Sequence, residues 1–143
     1  MDLQLKGKLA VVTGGSKGIG LGIARAFARE GASVVMTART REDVERVARD
    51  VADEFGVKTV PVASDVSTAE GCRAVIAAAA AAGGADIFVS NAGTGSNETV
   101  ADAPDEKWMD FWNLHVMAAV RLSRGLADQM EAKGGGAMLM NAS

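Results

Sequence analysis

Eight residues near the start of the chain, Thr13-Gly14-Gly15-Ser16-Lys17-Gly18-Ile19-Gly20, have types and spacing that suit phosphate binding. Glycines let a backbone turn tightly and approach a ligand closely, and Ser16 adds a hydroxyl donor. An apolar run, Leu9–Thr13, precedes the cluster, and a helix-period segment from Leu21 to Ala28 follows it. A turn between strand and helix offers free N–H groups and the positive end of a helix dipole, which favour a pyrophosphate. Gly14, Ser16, Lys17, Gly18, Ile19 and Gly20 are therefore expected to hold dinucleotide phosphates. A purely structural glycine turn is the plainer alternative.

A second group of residues bears on which dinucleotide. About 20 residues beyond such a turn, an NAD site carries a carboxylate that accepts hydrogen bonds from the ribose 2′-hydroxyl. Here that position is Ala38, Arg39 stands next to it, and no Asp or Glu occurs between Gly31 and Arg41. A carboxylate there would repel a 2′-phosphate, whereas a guanidinium binds one bidentately. Lys17 adds a second cation. The pattern predicts NADP(H) in preference to NAD(H), the plain alternative being that both cations are solvated surface charges.

The elements that must position these residues follow from the hydrophobic period. Strands are expected at Leu9–Thr13, Ser33–Thr37, Lys58–Val62, Asp86–Ser90 and Ala137–Asn141, each the short apolar run of a strand buried on both faces. Helices are expected at Gly18–Glu30, Arg41–Phe55, Thr68–Ala82 and Asp105–Lys133. In the second of these Val44, Val47, Val51 and Phe55 share one face and charged residues the other. The alanine tract Ala77–Ala82 reads as close helix packing on a sheet. Strand and helix alternate, and right-handed crossovers then give a Rossmann-type α/β fold: a doubly wound parallel sheet in three layers, as one domain over residues 1–143.

With its Thr-Gly-x-x-x-Gly-x-Gly spacing, the chain resembles the short-chain dehydrogenase/reductase family along its whole length. The resemblance also rests on Asp65-Val66 after the third strand, Asn91-Ala92-Gly93 after the fourth, Trp108 in the next helix and Ser143 after the fifth. It implies that Asp65 and Val66 contact the adenine ring and that Asn91, Ala92 and Gly93 pass beside the nicotinamide-side ribose. It also implies hydride transfer between nicotinamide and a carbonyl or secondary alcohol, with about five of the family's usual seven strands present.

In that family a tyrosine is the acid/base, a lysine lowers its pKa, a serine holds the substrate oxygen and a helix asparagine anchors a relay water. Ser143 matches the serine. The chain contains no tyrosine, and the Tyr-x-x-x-Lys segment would follow Ser143, so the 143 residues alone are expected to be inactive or nearly so. Counting seven residues from Trp108 puts the asparagine position at His115. Asn113 is two residues away, about 200° around an α-helix and so on the wrong face. His115 shares a stripe with Trp108, Phe111, Ala119, Leu122 and Leu126. An imidazole can hold a water and pass protons, so His115 is either a relay residue or a satisfied structural histidine.

Composition narrows the partners. The net charge is −3 with both signs interspersed, which argues against nucleic acid and anionic membranes. The longest uncharged stretch, Ala74–Ala85, contains Gly83 and Gly84 and falls short of the ~20 apolar residues of a membrane span. Cys72 is the only cysteine, no metal site is expected, and the start of the chain has no signal-peptide core. These features predict a cytoplasmic protein acting on a small molecule, and the resemblance implies a homo-oligomer. The rival to an NADP(H)-dependent oxidoreductase is a non-catalytic NADP(H)-binding module.

Overall fold

A computed structural model describes residues 1–142 of the chain. In order the elements are β1 (Leu9–Thr13), α1 (Gly18–Arg29), β2 (Ser33–Ala38), α2 (Arg41–Phe55), β3 (Thr59–Ala63), α3 (Ala69–Ala81), β4 (Ile87–Ser90), α4 (Asp105–Trp112), a π-helical turn (Asn113–Met117), α5 (Ala118–Ala132) and β5 (Ala137–Met140). The strands form one sheet in the order β3-β2-β1-β4-β5, with every neighbouring pair parallel. The direction of winding reverses at β1, which leaves a crevice beyond the carboxyl ends of β1 and β4.

Side-chain alternation along the strands explains the layering. Ala10 and Val12 of β1 and Val34 and Met36 of β2 point to one face, where Ala24, Ala28, Val44, Val47 and Val51 of α1 and α2 cover them. Leu9, Val11, Val35 and Phe88 point to the other, against Cys72, Val75 and Ala79 of α3 and Leu122 and Leu126 of α5. All five residues of β1 are buried, as a central parallel strand requires. The result is a Rossmann-type three-layer fold. Thr68 caps α3 by accepting the Gly71 N–H at 2.9 Å.

Several boundaries and one helix differ from the sequence expectation: β2 extends to Ala38, α1 ends at Arg29 and α3 spans Ala69–Ala81. β3 sits one residue later than Lys58–Val62, because its register is set by pairing with β2, Val35 opposite Val60. β4 begins at Ile87, and β5 ends at Met140. The segment expected as one helix, Asp105–Lys133, is interrupted by the π turn. Each π turn takes in one residue more than an α turn and shifts the helix phase by about 100°. The buried set of α5 is therefore Ala118, Leu122, Leu126 and Met130, while Trp108 is 52% exposed. The single stripe expected from Trp108 to Leu126 does not run through the turn.

β4 is anchored at the end opposite the crevice. Asp86 Oδ2 accepts the Leu9 N–H at 2.8 Å and the Lys133 ammonium at 2.7 Å, and Lys133 also donates to the Gly84 carbonyl at 2.9 Å. Burial opposes the Asp86 charge, but the Lys133 and Leu9 hydrogen bonds outweigh it and hold the carboxyl below its ordinary value near 3.8.

Candidate functional site

The crevice is built on Thr13, the last residue of β1, which is buried. Its hydroxyl oxygen accepts the N–H groups of Asn91 at 2.9 Å and Ala92 at 3.0 Å and so joins the end of β4 to the end of β1. The chain then turns through Gly14, whose φ of +64° is a left-handed conformation. The Gly15 N–H donates to the Thr37 carbonyl at 3.0 Å, tying the turn to β2. Helix α1 rests directly on this turn: a Cβ on Gly20 would lie 2.0 Å from the Gly14 carbonyl oxygen and 2.6 Å from Asn91 Nδ2. Lys17 is the extended N-cap, and no side chain caps the helix, so its first N–H groups remain available for an anion.

The second wall comes from β2, β3 and the loops after them. Thr37 and Ser64 share a hydroxyl–hydroxyl hydrogen bond of 2.9 Å. The side chains of Arg39 and Lys17 make no hydrogen bond or ion pair among the described residues, whereas Asp43 in the same wall accepts from Arg46 at 3.2 Å. Asp65 Oδ1 accepts the Ser67 N–H at 3.0 Å and hydroxyl at 2.7 Å, which fixes the carboxylate at the turn into α3. The Val66 carbonyl accepts from the Cys72 thiol at 3.2 Å. Burial pushes that thiol's pKa up against the lowering effect of Arg121, so Cys72 is an inert packing residue.

The third wall follows β4. Asn91 Nδ2 donates to the Thr13 carbonyl at 3.2 Å, and its Oδ1 accepts from Asn141 at 2.8 Å. Across from it stand Lys107, Asp110 and Phe111 of α4 with Asn113 and Leu114 of the π turn. Beyond the wall, the Ser96 hydroxyl donates to Glu98, and with help from Lys107 at 3.5 Å it holds that carboxyl below the usual range.

The three walls enclose a cleft of about 740 Å³. Of the residues singled out from sequence, Gly14, Ser16, Lys17, Arg39, Asp65, Val66, Asn91, Ala92 and Gly93 all line it. Gly18, Ile19 and Gly20 do not: Gly20 acts through the contact between α1 and the turn, and Ile19 is exposed. His115 stands behind the wall, bonded to Thr94, while Asn113, which an α-helical count put on the wrong face, lines the cleft. Ser143 lies outside the described residues. Sequence reasoning missed Thr13, Thr37, Ser64 and Thr94, and a threonine at a strand end gives no sign by itself that its hydroxyl bridges two strands.

A cleft at the switch point, with a glycine turn on one side and two uncommitted cations, matches known proteins along the whole chain. A model of the short chain dehydrogenase family matches residues 8–143. The uncharacterized oxidoreductase YvrD of Bacillus subtilis is 39% identical over 100% of this chain and 54% of its own length. Dehydrogenase/reductase SDR family member 4 of Sus scrofa is 36% identical over 97% of this chain and 50% of its own. The crystal structure of L-sorbose reductase from Gluconobacter frateurii, complexed with NADPH and L-sorbose, superposes with a TM-score of 0.98 at 55% identity, covering 100% of this chain and 55% of that one. A metagenomic short-chain oxidoreductase in complex with NADP gives a TM-score of 0.90 at 33% identity, covering 97% and 63%. The chain spans about half the length of the curated relatives it matches. With the fold, the glycine turn and the family match in agreement, the chain belongs to the short chain dehydrogenase family.

Proposed function

We propose that the chain is the cofactor-binding portion of an NADP(H)-dependent oxidoreductase acting on a carbonyl or secondary alcohol. The observation that carries this reading is the pair of cations Arg39 and Lys17, unpaired among the described residues, on a cleft with no carboxylate directly after β2. The residues present fit such a cofactor: the uncapped start of α1 offers N–H groups to a pyrophosphate, and the two cations suit a 2′-phosphate. Asp65 and Val66 then flank the adenine, and Asn91, Ala92 and Gly93 the second ribose. When bound, the nicotinamide supplies or accepts hydride at its C4. This chain's own residues bind and orient it, and Ser143 positions the substrate oxygen. The similarity to an L-sorbose reductase supports a sugar-like ketone or polyol as substrate.

In this family the acid/base is a tyrosine, which these 143 residues lack, so by themselves they are inactive or nearly so. A Tyr-x-x-x-Lys segment in the intact polypeptide separates the enzyme from a nucleotide-binding module without chemistry. Trp108, Met109 and Trp112 expose an apolar face on α4, which supports a homo-oligomer. Cys72, the one cysteine of these 143 residues, has no internal disulfide partner, which supports a cytoplasmic setting. Among the described residues no helix is long and apolar enough to cross a membrane.

Calorimetric titration with NADPH and NADH tests the reading. NADPH binds more tightly, and Arg39→Asp reverses the preference; equal affinities in the unaltered protein would overturn the assignment of Arg39. A preference unchanged in Arg39→Asp would move the phosphate site to Lys17.

A further inference from the structure

We propose that His115 is a positioning residue whose unprotonated Nε2 latches the Gly93–Thr94 wall of the cleft, so that cofactor affinity falls when the ring takes up a proton. This rests on reading the cleft as an NADP(H) site.

The tautomer follows from the two partners of the ring. The Thr94 N–H donates to Nε2 at 3.1 Å, so Nε2 offers a lone pair and carries no proton. The proton is on Nδ1, which donates to the Phe111 carbonyl at 2.9 Å. The Phe111 ring meets the imidazole edge to face, with centroids 5.3 Å apart. Gly93 packs against the ring, where a Cβ would come within 3.1 Å of Nε2 and 3.2 Å of Cδ2. Gly93, Thr94 and Phe111 all line the cleft, so the ring joins the β4 loop to the α4 wall from behind.

The π turn makes this possible. It turns Asn113 and Leu114 toward the cleft and His115 toward the loop. A proton relay through the imidazole needs a ring nitrogen free to hold a water, and here both nitrogens are engaged. Adding a proton at Nε2 sets N–H against N–H, which removes the Thr94 bond and frees the wall. The ring is exposed, so protons reach it. On the α4 side Lys107 stands 5.5 Å from the centroid of the Phe111 ring and pairs with Glu98, and Asp110 precedes Phe111 in the chain; residues 91–94, on the loop side, carry no titratable side chain.

The test uses the complete enzyme and measures the NADPH dissociation constant at pH 8 and pH 5.5 for wild type, His115→Gln and His115→Leu. A glutamine amide oxygen reaches about as far as Nε2 and accepts the same N–H without titrating. On acidification wild type should weaken about three- to tenfold more than His115→Gln, as expected for one net hydrogen bond. The cofactor's own 2′-phosphate titrates in this range, but both proteins share that contribution. His115→Leu should raise the dissociation constant at both pH values with kcat largely retained. Parallel pH profiles for wild type and His115→Gln would overturn the latch. So would a loss of kcat in His115→Leu at unchanged affinity, which is the signature of a relay. Absence of NADPH binding by wild type at pH 8 would instead remove the cofactor reading, and the latch with it.

Discussion

Replacing Gly20 by alanine puts a methyl carbon where the Gly14 carbonyl already is. The new Cβ would lie 2.0 Å from that oxygen, 2.7 Å from its carbon and 2.6 Å from Asn91 Nδ2. Ordinary contact begins near 3.4 Å, so turn and helix must separate by 3.4 − 2.0, roughly 1.4 Å. Two of the three crowded atoms are backbone, which cannot swing aside as a side-chain tip can. Overpacking of this kind costs about 1–3 kcal/mol, and the backbone character of the clash points to the upper end. The same movement pulls the first N–H groups of α1 away from the phosphates. Losing one charge-assisted hydrogen bond, worth about 1.5–3 kcal/mol, corresponds to about a ten- to hundredfold weaker NADPH complex. Gly22, one half-turn further along α1, is the control: it is exposed, and a Cβ there meets nothing within 4 Å. Gly22→Ala should stabilise the protein by about 0.5–1 kcal/mol and leave affinity unchanged. Urea denaturation and NADPH titration of both variants provide the check. A Gly20→Ala protein with native stability and affinity within about twofold of wild type would refute the close-approach reasoning.

Asp86→Asn should cost about 1.5–3 kcal/mol at pH 7, because it removes the charge that Lys133 and the Leu9 N–H address at a side chain only 8% exposed. The folded-state pKa lies below the unfolded value near 3.8, so this stabilisation is complete above that value and lost as pH falls through the folded one. Denaturation at pH 7 and pH 3.5 should show the gap between wild type and variant narrowing in acid, and a pH-independent gap would contradict the ion-pair account. Thr13→Val leaves the Asn91 and Ala92 N–H groups without their acceptor; it should destabilise by about 1–3 kcal/mol and weaken NADPH binding, and full affinity would show that the strand junction does not shape the cleft. Thr68→Ala should lose about 1 kcal/mol by uncapping α3, read as a shift in the urea midpoint.

How far the sequence carried depends on whether the determining forces are local. The burial of Leu9–Thr13 and the alternation of Val34 and Val35 between the two cores are written in residue type, and so is the packing face of α2 at Val44, Val47 and Val51. The glycine turn and Arg39 were legible because their chemistry follows from their own atoms. The π turn was not: Asn113–Met117 contains no glycine or proline, and the bond that His115 makes there spans 21 positions of sequence. An α-helical count carried through that turn misplaces both Asn113 and the stripe through Trp108.

The same distinction separates scaffold from site. Apolar burial stacks the layers, but it is indifferent to an ångström of sliding along a strand, whereas a cofactor cleft is not. What fixes the sliding here is a small set of long-range polar bonds at the two ends of β4. At one end Asp86 holds the start of β1 through Leu9 and the end of α5 through Lys133. At the other Thr13 holds Asn91 and Ala92, Asn141 of the segment after β5 bonds Asn91, and His115 holds Thr94. Each of these bonds joins residues at least 21 positions apart, the reach of the His115–Thr94 contact, so each forms only after the sheet has assembled. The fold is thus specified first by hydrophobic pattern, and the cleft is aimed afterwards by side chains whose role appears only once their distant partners are in place.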